Sequence, residues 1–154
     1  TLRMFFSAYL DDVWKQNICS AVSNNGLDWE VEPGIRINFG SLGLRYVANN
    51  PTYCEINGKH TLFFRGSNNI PIRDKIFQAE SDDGLDWKLI GPAISPNSTC
   101  RKEKHEVAHP FVFRTRKGQY RMYYTGCCGT VLDSFSYKYY QNIYREKGIN
   151  VIKD

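Results

Sequence analysis

The sequence predicts an all-β fold built from repeated four-stranded antiparallel sheets, and two repeated phrases support this prediction. Ser-Asn-Asn-Gly-Leu-Asp-Trp at 23–29 returns as Ser-Asp-Asp-Gly-Leu-Asp-Trp at 81–87. An aromatic-rich run occurs three times, at 3–7, 61–65 and 121–125. The period of roughly 60 residues exceeds that of short solenoid repeats and is near the length of a four-stranded propeller blade.

Length and composition fit one globular domain. The chain has 154 residues, of which 42% are hydrophobic and 14% aromatic, which is typical of a β-rich domain with a core. We predict a single domain over 1–154 with repeat units near 2–58, 59–118 and 119–154. The net charge of +4 comes without a long basic run, so no nucleic-acid partner is predicted. No long apolar segment or targeting signal is evident, which predicts a cytoplasmic protein without a membrane partner.

Nine strands are expected in chain order, because aromatic and aliphatic runs alternate with turn signals. Gly26, Gly58, Gly84 and Gly118 follow Asn, Asp or Lys in short hairpin turns that require positive φ. The predicted strands are 2–8, 17–23, 29–32, 50–56, 59–65, 75–81, 86–90, 110–115 and 119–125, with long connections at 33–46 and 91–106. They fall into groups of three, four and two strands.

The last residues of the chain allow two interpretations. Residues 143–151 align weakly with 76–87 if three residues are deleted, which would make a further strand. Alternatively, Phe135, Tyr139 and Ile143 have helical spacing, with Asp133 able to cap the helix and Gly148 able to end it. We predict a short C-terminal helix.

The five cysteines occur in an odd number and without Cys-x-x-Cys spacing. The adjacent pair Cys127-Cys128 could form a strained vicinal bridge or join a metal site, but a cytosolic protein needs neither. We predict free thiols, no metal ion and no cofactor. The five are Cys19, Cys54, Cys100, Cys127 and Cys128.

Two motifs together resemble the blades of the five-bladed β-propeller glycosidases. They are Val-Ala-His-Pro-Phe-Val-Phe with Lys-Gly-Gln-Tyr-Arg-Met-Tyr-Tyr-Thr-Gly, within 107–126, and Ile-x-x-Ala-x-Ser-x-Asp-Gly-Leu-Asp-Trp at 76–87. That group includes arabinanases, xylosidases, invertase-like fructosidases and mannoside phosphorylases. The resemblance covers roughly residues 2–126 and implies about two and a half of the five blades. Its motifs indicate the propeller fold but do not specify the reaction.

In that group, residues just before the proline of each innermost strand line an axial pocket, and catalytic carboxylates lie there or close by. The matching positions in this chain are Asn50 and His109, and the nearby acidic residue is Glu106. The resemblance therefore implies Glu106 and His109 as catalytic candidates, although glycoside hydrolysis normally needs two carboxyl groups. The alternatives are a solvated loop carboxylate for Glu106 and a hydrogen-bonding residue at the channel mouth for His109.

Turn lengths predict where a ligand would bind. The four glycine turns should lie at one end of the strands and the long connections at the other, and binding residues concentrate in long loops on a rigid scaffold. Aromatic and polar side chains together suit sugar binding. The candidate substrate-binding residues at this long-loop end are Tyr9, Asn50, Arg65, Arg73 and Asp74. Ser23, Asp28, Trp29 and their counterparts Ser81, Asp86 and Trp87 are interpreted as structural, with each Trp packed between blades.

Three functions remain open from the sequence. The chain is a relative of a propeller glycosidase that acts on or binds a glycan, a carbohydrate-binding module without the full catalytic residues, or a protein-interaction module. In each case about half a propeller leaves open blade faces and strand edges. We therefore predict a homo-oligomer with an apolar interface between these faces, and carbohydrate as the ligand.

Overall fold

The structure is a computed structural model that describes residues 1–9, 16–38, 40, 47–67, 73–97, 99 and 102–127. The described residues contain nine strands and no helix. The strands are β1 (Leu2–Tyr9), β2 (Gln16–Ser23), β3 (Glu30–Val31), β4 (Val47–Ile56), β5 (Lys59–Ser67), β6 (Lys75–Ser81), β7 (Lys88–Ile94), β8 (Glu106–Arg114) and β9 (Tyr120–Cys127). All nine predicted strands are present, so the all-β prediction is confirmed. The predicted C-terminal helix lies outside the described residues.

Antiparallel pairing divides the strands into three blade-like groups. Blade A consists of β1, β2 and β3; blade B of β4, β5, β6 and β7; blade C of β8 and β9. Blades A and B are joined at one parallel pair, Gln16 with Val47. The groups of three, four and two strands match those predicted.

Several strand boundaries differ from the sequence prediction, and the largest changes are at β7 and β8. β7 continues to Ile94 and β8 already begins at Glu106, so the connection between them is shorter than the predicted 91–106. Gly91 and Pro92 suggested an end to β7, but β7 is the outer strand of blade B. An outer strand tolerates proline because one of its edges needs no ladder hydrogen bonds.

The four predicted glycine turns share one backbone conformation. Gly26, Gly58, Gly84 and Gly118 have φ of 77°, 77°, 76° and 80°, the left-handed region that such hairpin turns require. Each joins consecutive strands of one blade, so the prediction of equivalent turns is confirmed.

The repeated Ser-x-x-Gly phrase forms the same hydrogen bonds in both copies. Ser81 Oγ accepts from the Gly84 N–H at 2.8 Å, and Asp83 Oδ1 accepts from the two following N–H groups at 2.8 and 3.0 Å. Ser23 and Asn25 repeat these bonds at 2.8, 2.9 and 2.9 Å. The backbone donors lower the pKa of Asp83 from its usual value to about 2, because they stabilise the carboxylate. The repeated phrase therefore stabilises the same turn in both blades.

Two apolar cores lie between the blades. Strand β5 faces both of them, because alternate side chains of a strand point to opposite faces. Leu62 and Phe64 belong to the first core and Phe63 to the second. The first contains Ile18, Ile37, Ala48, Leu62, Phe64, Phe77 and Ala79, and the second Cys54, Phe63, Ile76, Val107 and Val112. Blade B is thus packed on both faces.

The two matching tryptophans differ in their surroundings. The indole N–H of Trp87 donates to the Gly84 carbonyl at 3.2 Å, and that of Trp29 donates to the Gly26 carbonyl at the same distance. Trp87 also packs edge-on against Phe5 of blade A, with ring centroids 5.4 Å apart. Trp29 is 37% exposed. Among the described residues only Trp87 lies between two blades, so the prediction of a tryptophan between blades is confirmed there alone.

The thiol prediction is confirmed for the two buried cysteines. Cys19 and Cys54 are free thiols, and burial raises the pKa of both because an apolar setting disfavours the thiolate. They are packing residues in blades A and B. Cys100 and Cys128 lie outside the described residues.

Candidate functional site

The two proline motifs place Asn50 and His109 in matching backbone positions. Both residues have φ of 51°, both precede a proline, and both stand at a break in the register of the innermost strand pair. Left-handed φ is uncommon for residues other than glycine, and such strain concentrates at functional sites. Both side chains are exposed. The predicted equivalence of the two motifs therefore extends to their geometry.

A buried ion pair lies beside these positions. Arg65 Nε donates to Asp74 Oδ2 at 2.5 Å, and a second guanidinium nitrogen also contacts that oxygen. Asp74 is fully buried, and its Oδ1 has no hydrogen-bond partner among the described residues. Burial raises the pKa of Asp74 above its usual value, although Arg65 opposes the shift. A buried carboxyl group with an unsatisfied oxygen lowers the stability of the fold. The pair is therefore held in place by the surrounding structure at a cost in stability.

Blade C contributes two titratable side chains to the same region. The Val107 N–H donates to the Asp74 carbonyl at 3.1 Å and so holds the start of β8 against Asp74. The charge of Glu106 raises the pKa of Asp74, whereas that of His109 lowers it. The structure therefore brings four of the sequence candidates together: Arg65, Asp74, Glu106 and His109.

Tyr9 is linked to this group indirectly. Its hydroxyl accepts from Gln16 Nε2 at 2.5 Å, and Gln16 Oε1 in turn accepts from the side-chain amide of Asn49. Asn49 is buried and pairs with Arg65 across β4 and β5. Tyr9 itself is 58% exposed. A chain of hydrogen bonds thus connects blade A to the Arg65 side of the group.

The remaining candidate, Arg73, stands just before Asp74 and is exposed. Sequence reasoning missed Gln16 and Asn49, although Asn49 directly precedes the selected Asn50. The sequence signal for both residues was a polar side chain at the end of an apolar strand. Only the strand pairing shows that these side chains lie near the candidate site.

Two clefts among the described residues lie away from this group. One of about 530 Å³ is lined by Cys54, Glu55, Asn57, Gly58, Arg114, Gly118 and Tyr120. A second of about 200 Å³ is lined by Lys59, Glu80, Ser81, Asp82, Asp86, Lys88 and Ile90. Both are at the glycine-turn end, opposite the predicted site.

Two features are absent from the described part of the chain. No cluster of three or more His, Cys, Asp or Glu side chains is suitably placed there to hold a metal ion. The same residues include no helix that is long and apolar enough to span a membrane.

Comparison with known proteins gives matches at the level of structure. No family model matches the chain, and neither does any curated protein. A family 117 glycoside hydrolase of the marine bacterium Zobellia galactanivorans superposes with a TM-score of 0.60 at 18% identity, over 74% of this chain and 35% of the other. The chain shares the fold of the propeller-type glycoside hydrolases.

Two further solved structures agree with this assignment. A thermostable family 43 glycoside hydrolase gives a TM-score of 0.59 at 16% identity, over 80% of this chain and 42% of that enzyme. The β-xylosidase RS223 gives 0.54 at 15% identity, over 71% and 32%. This chain therefore spans between 32% and 42% of the length of these three structures. The resemblance inferred from the two motifs is confirmed for the fold.

Proposed function

We propose that this chain is a glycosidase-like propeller protein that acts on or binds a glycan at the long-loop end of its strands. The observation that carries the proposal is the matching strained backbone of Asn50 and His109, beside the buried Arg65–Asp74 pair. The glycoside hydrolases of the same fold favour a carbohydrate ligand by analogy. In this proposal Asn50, Arg65, Arg73 and Tyr9 bind the substrate.

In the catalytic form of the proposal, Glu106 and His109 touch the sugar. Glu106 would supply the proton for the leaving oxygen, and His109 would transfer protons, a common catalytic role of histidine. Asp74 is fully buried, so we assign it a positioning role through Arg65 rather than contact with the sugar. Glycoside hydrolysis normally uses two carboxyl groups, so a second carboxyl group besides those of Glu106 and Asp74 would be required.

A second candidate, a non-catalytic carbohydrate-binding module, is favoured by one observation. The two exposed positions before the prolines hold an amide and an imidazole, Asn50 and His109, and the partly buried Glu106 is the acidic candidate beside them. Amide, imidazole and guanidinium groups can form hydrogen bonds with sugar hydroxyls without catalysing a reaction. A protein-interaction role is the further alternative.

The deciding experiment is a glycan array combined with hydrolysis assays on aryl glycosides. We expect His109→Ala to weaken glycan binding by about tenfold or more, the loss of one well-placed polar contact. Glu106→Gln should abolish any turnover while leaving binding nearly intact. Glu30→Gln, on the exposed outer strand of blade A, is the matched control. A glycan ligand whose affinity and turnover are unchanged in both site variants would place the site elsewhere.

The proposal includes a homo-oligomer as the assembled form, because blades A and C each leave an outer face uncovered by the described residues. Exposed large apolar side chains on these blades include Met4 at 40%, Phe111 at 59% and Tyr123 at 57%. Large apolar side chains exposed on an uncovered blade face indicate an interaction surface. The cytoplasmic location and the absence of a nucleic-acid partner stay predictions from the sequence.

A further inference from the structure

Blade A meets blade B through alternate side chains of β1. Arg3 Nη1 donates to the Asp83 carbonyl at 3.1 Å, Phe5 packs edge-on against Trp87, and Ser7 Oγ accepts a backbone N–H of β4 at 2.9 Å. Positions 3, 5 and 7 share one face of the strand. This face, a ladder of arginine, aromatic ring and hydroxyl, is the donor face of blade A.

Strand β9 of blade C carries the same ladder. In the repeated aromatic-rich run, Arg121, Tyr123 and Thr125 occupy the places of the arginine, ring and hydroxyl of β1. All three are exposed, and Tyr123 stacks on Phe113, with ring centroids 5.7 Å apart. Phe111 continues this aromatic surface at 59% exposure. Blade C thus has a donor face that no described blade covers.

Blade A carries the matching acceptor face. In blade B the acceptor consists of Trp87 and the turn carbonyl before Gly84. Trp29 and the turn before Gly26 have the same hydrogen bonds and glycine φ in blade A. Gly84 is buried by Arg3, whereas Gly26 is only partly covered. The acceptor in blade A has the geometry of the occupied one but is more exposed.

We propose that the donor face of blade C in one copy docks on the acceptor face of blade A in a second copy. In this contact Tyr123 packs edge-on against the partner copy's Trp29, and Arg121 donates to its Asn25 carbonyl, as Arg3 does to Asp83. The two faces cannot meet within one copy because blade B lies between them, packed on both sides.

A second copy is the occupant because the chain itself supplies both halves of a contact that already exists between blades A and B. Since the two faces differ, the contact is heterologous and orders the copies head to tail. The inference rests on the homo-oligomer part of the proposed function and is independent of its glycan part.

Sedimentation of the 154-residue chain over a range of concentrations tests the contact. Wild type should self-associate, and Trp29→Ala and Tyr123→Ala should each weaken association by about 30-fold, the effect of truncating one aromatic interface anchor. Ile90→Ala, an exposed apolar truncation on the outer strand of blade B, should associate like wild type. Thermal unfolding of the dilute variants checks that they are folded.

Mixing the two weakened variants distinguishes this contact from a symmetric one. A chain with Trp29→Ala keeps its donor face and a chain with Tyr123→Ala keeps its acceptor face, so an equimolar mixture should form complexes of one copy of each. A symmetric contact between like faces would leave one of the two variants unaffected, and that result overturns the proposal. So does a wild-type chain that stays monomeric at every concentration. Glycan binding by such a monomer would overturn this contact while leaving the glycan proposal intact.

Discussion

Replacing Trp87 with Ala tests the contact that holds blade A to blade B. Truncating a fully buried tryptophan or phenylalanine costs about 3–5 kcal/mol. Trp87 is only partly buried, so the transfer and cavity part should be nearer about 2 kcal/mol. Loss of the edge-on contact with Phe5 at 5.4 Å adds about 1 kcal/mol. We expect a decrease of about 3 kcal/mol in the free energy of unfolding.

Trp29→Ala is the matched control. It removes the same side chain from the same turn and the same 3.2 Å bond to a glycine carbonyl, but no contact with Phe5. Its expected cost is about 1 kcal/mol. The difference between the two variants therefore isolates the packing between blades.

Urea denaturation followed by tryptophan fluorescence and circular dichroism measures both values. The protein should be dilute, so that association does not add to the apparent stability. If Trp87→Ala costs less than about 1 kcal/mol, or no more than Trp29→Ala, the tryptophan is not a packing residue between blades and this reasoning is wrong.

Two further predictions concern the turns. Because the pKa of Asp83 is lowered to about 2, its carboxylate contributes stability that is present above the usual pKa and lost as pH falls toward 2. Asp83→Asn, which Asn25 shows to be compatible with the turn, should remove that loss of stability in an unfolding titration from pH 5 to 2. A variant whose stability falls with pH as in wild type would contradict this. Gly84→Ala should destabilise the fold more than Gly58→Ala in thermal melts. Both glycines have positive φ, but an added Cβ lies 2.5 Å from Arg3 Nη1 at Gly84 and meets nothing within 4 Å at Gly58. Equal effects would show that backbone strain alone matters.

The site was predictable in part. His109 and Asn50 could be selected because a proline follows each in a repeated phrase, and their common φ of 51° agrees with that equivalence. Asp74 and Arg65 could be selected only as residues near the long loops. Their pairing follows from the antiparallel β5–β6 neighbours, whereas the complete burial of Asp74 and its electrostatic link to Glu106 depend on how β8 lies against β6. No local pattern encodes that arrangement.

The sequence by itself determined the repeat, the nine strands and the four glycine turns. These depend on interactions between residues close in the chain: alternating side chains, serine and Asx hydrogen bonds, and glycine at positive φ. Tertiary structure alone decided what each repeated residue contacts. Trp87 and Trp29 have the same local sequence and the same turn, yet Phe5 covers the first while the second is 37% exposed. The difference arises because burial depends on which blade lies opposite, and that neighbour is set by residues distant in the chain.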